Sequence, residues 1–332
     1  MSERRTWDVH GLVVRVACQS PSQMQRVETV LRPFAVVACA EPAAHINIAY
    51  ADEPLPPAAE SSLRKTWSGV LPSGLSASCY SNNANSLRRF DLHDLATVST
   101  DLVARRAQIL LKPSADHCLV FGAFTPTLCH LLAQVGHYVI HSACLVAPDG
   151  KAMLLCGQSG AGKTTTTLAL ALAGWKMLSD DTSFLAVSDS PKLWGLPRPF
   201  KVHRNTLDLL PQLTKLPSSP ATLADEVAID FAHLAPPSTR QLPAGAVIFL
   251  QRRNTAEHQI AAISPLAAVA QLASQNVRAG DDAAATGPAG QAFAAMTSLV
   301  RHTRTLTLSV GPDLSTLPRA LEKALESNPC PA

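Results

Sequence analysis

A glycine-rich stretch followed by a lysine and four threonines, CGQSGAGKTTTT, spans residues 156–167. Gly157, Gly162, Lys163 and Thr164 fit the spacing G-x-x-x-x-G-K-[ST]. Glycines at this spacing let successive backbone N–H groups turn inward around phosphates, the lysine reaches the β- and γ-oxygens, and the threonine hydroxyl is available to Mg²⁺. The stretch therefore predicts a loop that binds the phosphates of ATP. The residues predicted to contact the nucleotide are Gly157, Ser159, Gly160, Ala161, Gly162, Lys163, Thr164 and Thr165.

Two acidic residues follow this loop after a short interval. Asp180 and Asp181 close the apolar stretch WKMLS (175–179), which a turn at Gly174 brings back beside the loop. Adjacent residues of a strand point to opposite faces, so the two carboxylates cannot share one task if the strand continues through both. One could face a metal ion, and the other could take the proton from an attacking hydroxyl during phosphoryl transfer. A turn or a helix cap is the alternative role for such a pair.

A histidine precedes the loop on the adjoining strand. Hairpin pairing would bring His141 to the end of the sheet that holds the glycine loop, or one strand away from it. A lone histidine in an apolar strand is most often a core residue with its hydrogen bonds satisfied. The residue pattern alone favours that interpretation over a catalytic one.

The elements that must position these residues can be predicted from the surrounding sequence. YVIHSACLVA (138–147) and KAMLLC (151–156) predict two strands joined by an Asp-Gly turn. TTTTLALALA (164–173) predicts a helix that ends at Gly174. A strand, a glycine loop and a helix in this order are the context that the phosphate-binding motif requires.

The rest of the chain predicts a second, smaller domain before this one. DVHGLVVRVAC (8–18) and HINIAY (45–50) predict strands on either side of an amphipathic helix over SQMQRVETVLRPF (22–34). Pro-rich and Ser-rich stretches that follow predict loops between short strands. We therefore predict a small α+β N-terminal domain over residues 1–115 and a domain with the glycine loop over 116–330. Residues 279–292 have the composition of a mobile surface loop.

Composition excludes several other classes of protein. With 332 residues, of which 47% are hydrophobic and 16% charged, the chain can bury a large core. The net charge of +3 comes from dispersed Lys and Arg, which predicts no nucleic-acid or membrane-surface partner. The eight cysteines form no C-x-x-C pair, so buried thiols are favoured over a disulfide framework or a zinc site. Because no signal peptide or membrane span can be found, we expect a cytoplasmic protein.

The run over residues 141–181, HSACLVAPDGKAMLLCGQSGAGKTTTTLALALAGWKMLSDD, resembles the catalytic domain of the bacterial HPr kinase/phosphorylase family and its kinase relatives. The shared order is histidine, strand pair, glycine loop, helix, glycine, apolar strand and Asp-Asp. LWGLPRPF (193–200) and GAVIFLQRR (245–253) match more weakly. The resemblance implies an α/β P-loop kinase domain like that of ATP-dependent phosphoenolpyruvate carboxykinase. In that fold a mixed, largely antiparallel sheet surrounds the P-loop in place of a doubly wound sheet.

The resemblance also implies an activity and roles for individual residues. It implies a kinase that uses ATP and Mg²⁺ and transfers the γ-phosphoryl group to a serine hydroxyl. Asp180 would be the general base. Asp181 would either bind the metal ion together with Thr164 or have a structural role. His141 becomes a candidate partner of the base or of the transferred phosphoryl group. Lys163 would neutralise the charge that develops on the phosphoryl oxygens.

The chain departs from HPr kinase itself, because a glutamate followed by Arg-Gly-Leu-Gly is missing and the nearest text is LWGLPRPFKVHR. It is more similar to the HPr-kinase-related serine kinase branch found beside peptide-tailoring genes, which includes kinases of lasso peptide precursors. A PRP stretch after the Asp pair is familiar in that branch. Basic side chains after the Asp pair could bind phosphates or a carboxylate of the acceptor. The alternative is that they lie in solvated loops and bind nothing. The candidates are Arg198, Lys201, Arg204, Arg252 and Arg253.

The predicted partner is a peptide or small protein, which the N-terminal domain would help to recognise, and a homo-oligomer is left open. Two alternative functions also remain open. One is a small-molecule kinase with an enclosed acceptor pocket. The other is a nucleotide-binding regulatory module with little catalysis, which the missing glutamate favours and the Asp pair and Lys163 disfavour.

Overall fold

The structure, a computed structural model of the chain, describes nine stretches of residues. These stretches are 3–38, 41–51, 63–71, 75–196, 198–220, 225–234, 238–253, 255–276 and 288–327. They divide between two compact units, whose bounds along the chain are Met1–His137 with Ala279–Gly290, and Tyr138–Arg278 with Gln291–Ala332. Both units combine helices with a large mixed sheet.

The first unit contains a sheet of nine strands over the described residues, in the order β3-β1-β2-β4-β9-β8-β7-β6-β5. The pairs β2/β4 and β4/β9 are parallel, and the other neighbouring strands are antiparallel. The strands are β1 (Glu3–Val9), β2 (Leu12–Cys18), β3 (Ala35–Val36), β4 (Ala44–Tyr50), β5 (Arg64–Val70), β6 (Ser76–Ser81), β7 (Leu87–Leu92), β8 (Ala96–Asp101) and β9 (Arg106–Leu111), and the helices are α1 (Pro21–Leu31) and α2 (Thr125–Ala133).

The N-terminal strand prediction is wrong in one respect, because residues 8–18 form parts of two strands. β1 and β2 pair as a hairpin whose turn is His10 and Gly11, with φ angles of 53° and 88°. The Gly11 N–H donates to Oδ1 of Asp8 at 2.7 Å, which closes the turn. The sequence has a single glycine here and no Asn-Gly or Asp-Gly pair, which are the usual signals of a two-residue hairpin turn. The apolar residues on both sides therefore predict one continuous strand.

The first helix is confirmed, and it has a capping box. The Ser20 side chain accepts from the Gln23 N–H, and the Gln23 side chain accepts from the Ser20 N–H. The loop predicted from GLSASCYSNNANS is wrong over Ser76–Ser81, which is strand β6. Three of its six residues are serines, and pairing with both neighbouring strands overrides their turn preference.

The second unit contains another mixed sheet of nine strands over the described residues. Its main path is β10-β14-β15-β19-β12-β11-β13, and β21 adds to β19 and carries β20. The strands that follow α2, including three outside this sheet, are β10 (His137–His141), β11 (Ala143–Val146), β12 (Ala152–Cys156), β13 (Lys176–Ser179), β14 (Thr182–Ala186), β15 (Lys192–Gly195), β16 (Phe200–His203), β17 (Ser218–Pro220), β18 (Glu226–Ile229), β19 (Leu242–Gln251), β20 (Gln259–Ala262) and β21 (Arg304–Ser309). Strands β16, β18 and β17 form a separate small antiparallel sheet.

Helices cover both faces of this large sheet. They are α3 (Lys163–Leu172), α4 (Arg204–Leu209), α5 (Pro265–Asn276), α6 (Pro288–Arg301) and α7 (Leu317–Ser327). One apolar cluster joins Met153 and Leu155 of β12 to α3 and α7, and the other joins Leu154 to α5 and α6. Because alternate residues of β12 enter the two clusters, this strand is buried on both faces and holds the glycine loop on a rigid support.

Two further predictions for this unit are corrected. The predicted strand 138–147 is interrupted at Ser142, whose carbonyl accepts a hydrogen bond from the Ser183 hydroxyl at 2.7 Å. Of the predicted loop 279–292, residues 279–287 lie outside the described residues, and the remainder begins α6. Its Gly-Pro start resembles a loop, but a proline at the first helical position followed by alanine-rich text is compatible with a helix.

A close approach between strands depends on Gly195. A Cβ atom added at this glycine of β15 would lie 2.5 Å from the Ser179 Cβ and 2.6 Å from the Leu178 carbonyl oxygen, both in β13. These two strands are therefore in contact although three others separate them in the strand order. Contacts this short cannot be relieved without moving backbone, because one of the two partners is a carbonyl.

We expect Gly195→Ala to lower the free energy of unfolding by about 1 to 3 kcal/mol, since overpacking displaces β15 from β13. Urea denaturation monitored by circular dichroism measures this loss. Lys192→Ala, an exposed position of the same strand, is the matched control and should change stability by less than about 0.5 kcal/mol. Equal stabilities of the two variants would show that the approach has no energetic importance.

Candidate active site

The glycine loop joins the end of β12 to the start of α3. Gly160 and Gly162 have φ angles of 77° and 94°, a region that residues with a Cβ rarely adopt, and Gly162 is the N-cap of α3. At Gly157 an added Cβ would lie 3.1 Å from that of Ala161 and 3.2 Å from that of Leu250. Gly162 of the predicted spacing therefore has a backbone angle that favours glycine, and Gly157 lies where a side chain would be crowded.

Three side chains that follow the loop have defined partners. Nζ of Lys163 donates to the Gly157 carbonyl at 2.6 Å, so the ammonium group lies across the base of the loop. The Thr164 side chain lies close enough to Asp180 to lower the pKa of that carboxyl. The hydroxyl of Thr165, which was predicted to contact the nucleotide, lies 2.9 Å from that of Thr206 in α4. The first turn of α3 is thus connected both to the Asp pair and to α4.

The two aspartates lie in the connection between β13 and β14 and not within a strand. The opposite-face rule for strands therefore does not apply to them, yet their surroundings differ strongly. Asp180 is 5% exposed, and its Oδ1 has no hydrogen-bond partner among the described residues. Burial raises the pKa of Asp180 to about 6, against the opposing effect of the Arg198 charge. The negative charge of Asp181 raises that pKa further.

Asp181 is held by two cationic or hydrogen-bonding side chains. His141 Nδ1 lies 2.9 Å from its Oδ1, and Arg198 Nη2 lies 2.7 Å from its Oδ2. Burial alone would raise the pKa of Asp181, but the His141 hydrogen bond and the Arg198 charge outweigh it and hold that pKa at about 2. Two adjacent carboxyl groups therefore have pKa values on opposite sides of their ordinary value, a pattern typical of acid–base sites.

His141 does not have the core position that its apolar strand suggested. It is the last residue of β10, its side chain is 50% exposed, and its Nδ1 faces Asp181. Its backbone N–H donates to Oδ1 of Asn276, the last residue of α5, at 2.7 Å. Neither contact could be read from the sequence, because 40 or more residues of chain separate the partners in each case.

A chain of buried hydroxyl groups supports the connection that carries the aspartates. Oγ of Ser179 lies 2.8 Å from Oγ of Ser183, which donates to the Ser142 carbonyl. These serines come immediately before and two residues after the Asp pair, and Ser142 follows His141. The hydroxyl chain fixes the spacing between His141 and Asp181. The sequence SDDTS over residues 179–183 has no spacing pattern that predicts this chain.

The other predicted cations form no ion pair with the Asp pair among the described residues. Lys201 in β16, Arg204 at the start of α4, and Arg252 and Arg253 after β19 are exposed. Among the described residues, Arg198 is the predicted cation that forms an ion pair with the aspartates. Pro197, the first residue of the PRP stretch, lies outside the described residues.

The oxygen atoms of the cluster fit a magnesium ion that also binds phosphates. No group of three or more His, Cys, Asp and Glu side chains suited to a metal occurs in the described part of the chain. Mg²⁺ does not require one, because it is typically held by one or two carboxylates together with phosphate oxygens and water. Thr164, the unpartnered Asp180 Oδ1 and Asp181 provide such oxygens, although both Asp181 oxygens are engaged by His141 and Arg198.

The sequence also led to expectations about the cysteines and about membrane-spanning segments. Six cysteines lie in the described residues, and all six have free thiols. Of these, Cys144 and Cys156 are fully buried near the glycine loop, and burial raises their pKa values. No helix in the stretches that the structure describes has the length and apolar character to cross a membrane.

The site thus combines a glycine loop at a helix start with a buried carboxylate, Asp180, beside the first threonine of that helix. No family model matches the chain, and no curated protein matches it in sequence. Among solved structures, the chain is similar to the HPr(Ser) kinase/phosphatase from Coxiella burnetii, with 14% sequence identity. That similarity covers 57% of this chain and 94% of the other, at a TM-score of 0.28.

Proposed function

We propose that the chain is a kinase that uses ATP and Mg²⁺ to phosphorylate a serine hydroxyl of a peptide or small protein. The observation that carries this proposal is the approach of the Thr164 side chain to the buried Asp180, close enough to lower the pKa of that carboxyl. It joins the phosphate-binding motif to a carboxylate whose pKa, about 6, suits a base near neutral pH. A loop that only holds a nucleotide would not need an unpartnered buried carboxylate beside it.

The glycine loop and Lys163 would bind the β- and γ-phosphates. The N–H groups at the start of α3 face outward from a ten-residue helix, whose positive dipole end favours anions. Lys163 is already held across the loop by its bond to Gly157 and would exchange that carbonyl for phosphate oxygens. Its positive charge would then stabilise the negative charge that spreads over the γ-phosphoryl oxygens during transfer.

Thr164 and Asp181 would hold the magnesium ion, with Asp181 exchanging one of its present contacts for it. When bound, Mg²⁺ neutralises phosphate charge and aligns the β- and γ-phosphates. Arg198 lies close enough to Asp181 to turn to the phosphates once the metal takes over that oxygen. His141 would keep Asp181 oriented through Nδ1.

Asp180 would act as the general base. Its Oδ1 would accept the proton from the acceptor serine as the serine oxygen forms a bond to the γ-phosphorus and the bond from that phosphorus to the β–γ bridging oxygen breaks. The products would be phosphoserine and ADP, with the proton on Asp180 until solvent removes it. The raised pKa supports this role, because a carboxylate at its ordinary pKa is a weaker base.

Transfer of label from γ-labelled ATP tests the proposal. The purified chain is incubated with Mg²⁺ and labelled ATP, alone and with serine-containing peptides, and each peptide is paired with its Ser→Ala form. Label on the serine peptide and not on its alanine form is expected. Nucleotide binding without label on any peptide would support the regulatory module. Label on a small hydroxylated compound alone would support the small-molecule kinase.

Peptide phosphorylation should depend on pH through Asp180. Below about pH 6 this carboxyl is protonated and cannot accept the serine proton. We therefore expect kcat/KM for the peptide to fall by about tenfold for each pH unit below 6 and to level off above about pH 7. Initial rates measured between pH 5 and about 8.5 at constant ionic strength give the profile.

Arg198→Gln provides the control for that profile. The Arg198 charge lowers the pKa of Asp180, so its removal should raise that pKa and move the midpoint of the profile to higher pH. Arg204→Gln removes an exposed arginine and should leave the midpoint where it is. A midpoint unchanged by Arg198→Gln would mean that another group sets the pH dependence.

A further inference from the structure

The C-terminal end of α5 is joined to the last residue of β10 through one amide side chain. Asn276, which ends α5, accepts a hydrogen bond from the His141 backbone N–H at its Oδ1, over 2.7 Å. Its Nδ2 donates to the Leu272 carbonyl in the same helix at 2.9 Å. Because a backbone N–H only donates and a carbonyl only accepts, the two bonds together determine which way the amide points.

The helix end that carries Asn276 has a position set by the core. Leu272, whose carbonyl accepts from the amide, is fully buried and belongs to the same apolar cluster as Ile140. Ile140 immediately precedes His141 in β10, so α5 and β10 are already packed together where the amide bond is made. Close packing of this kind holds both partners of the bond in place.

His141 connects this support to Asp181. Its Nδ1 lies 2.9 Å from Oδ1 of Asp181, and because a carboxylate oxygen only accepts, Nδ1 carries the hydrogen. The His141 side chain is 50% exposed, so packing around the ring does not by itself hold it. The position of the His141 backbone therefore decides where the ring can meet Asp181, and Asn276 holds that backbone through its N–H.

We propose that Asn276 is a positioning residue for the kinase reaction. It holds the end of β10 so that His141 keeps Asp181 in the orientation in which this carboxylate binds Mg²⁺. Groups that lie behind a metal ligand commonly orient it in this way, and their loss weakens metal binding. In this role Asn276 acts through His141 and not on the reacting atoms. The inference rests on the proposed function, in which Asp181 holds the metal ion.

Amide hydrogen exchange of the full chain, followed by NMR with ¹⁵N-labelled histidine and without nucleotide, metal ion or peptide, tests the bond to His141. Asn276→Ala should speed exchange of the His141 N–H by about tenfold, because its acceptor is lost. Asn276→Asp keeps an acceptor on a side chain of the same length and should retain most of the protection. Ser274→Ala is the matched control, because it removes an exposed hydroxyl that donates to the Gln271 carbonyl at 2.9 Å in the same turn of α5. It should leave exchange of the His141 N–H unchanged.

Binding of ATP with and without Mg²⁺ tests the effect on Asp181 and requires no phosphoryl transfer. Mg²⁺ should strengthen binding, and Asn276→Ala should reduce that gain by about tenfold while binding of metal-free ATP stays within about twofold. Asn276→Asp and Ser274→Ala should keep the gain. An equal gain in Asn276→Ala and the unmodified chain would overturn the proposal, as would unchanged exchange of the His141 N–H. Absence of transfer to any peptide, together with the expected exchange and binding results, would contradict the kinase function and leave the positioning role in place.

Discussion

Replacement of Asp180 by Asn will abolish peptide phosphorylation and stabilise the fold. The amide has nearly the same shape as the carboxyl group beside Thr164, but it cannot take a proton from the acceptor serine. Loss of a general base lowers rates by about 10² to 10⁴-fold. Affinity for ATP should stay nearly intact, because the loop and Lys163 are unchanged.

The stabilisation follows from the raised pKa of Asp180. Burial lifts this pKa from 3.8 to about 6, so the fold favours the protonated carboxyl. The corresponding stability is fully present below about pH 4 and is lost as the pH rises through 6. At pH 7.5 the buried charge then destabilises the fold by about 3 kcal/mol, and Asp180→Asn should recover about 2 to 3 kcal/mol of it.

Thermal and urea unfolding at pH 7.5, with nucleotide binding measured in parallel, check both parts of this prediction. Asp189→Asn, at an exposed position between β14 and β15, is the matched control for removing one carboxylate. It should change neither the transfer rate nor the stability appreciably. Equal loss of transfer and of ATP binding in Asp180→Asn would contradict the role as a base. A drop in stability would contradict the cost of the buried charge.

Lys163→Met should lower transfer by about 10² to 10³-fold, because the charge that stabilises the developing phosphoryl oxygens is removed. Binding of ATP should weaken as well, since lysine contacts the β- and γ-phosphates in the ground state. The bond from Nζ to the Gly157 carbonyl is also lost, which loosens the loop before the nucleotide arrives. Steady-state kinetics together with binding of a fluorescent ATP analogue separate the two effects.

Lys176→Met is the matched control for this variant. Lys176 is the first residue of β13 and is exposed, so its loss removes the same charge from the same unit without touching the loop. Normal transfer is expected. Should both lysine variants be equally impaired, the effect would come from net charge and Lys163 would have no special role.

The part of the site that is local in sequence could be predicted. Gly162 of the predicted spacing has a positive φ, and the Asp-Gly turn at residues 149–150 pairs β11 with β12 as expected. Gly174, with a φ of 94°, ends the helix that follows the loop. The short return from Gly174 to Asp180 leaves the chain little freedom, so the approach of the Asp pair to Thr164 follows from loop length.

Contacts between distant segments could not be predicted in the same way. The bonds of Thr165 to Thr206 and of His141 to Asn276 join parts of the chain that no spacing rule relates. The π-helical turn over Leu119–Phe124 that leads into α2 likewise has no distinct sequence signal. Tertiary packing decides these features, and propensity carries little information about them.

Asp180 and Asp181 are the only two residues between β13 and β14, so this connection cannot change length without moving one of their carboxylates. Ser179 and Ser183 anchor it on both sides, and Gly195 holds the neighbouring strand against it. A single inserted residue would rotate one carboxylate away from Thr164 or the other away from His141. A redesign that seeks a new acceptor should therefore leave this connection unchanged and vary exposed residues elsewhere, such as Lys201.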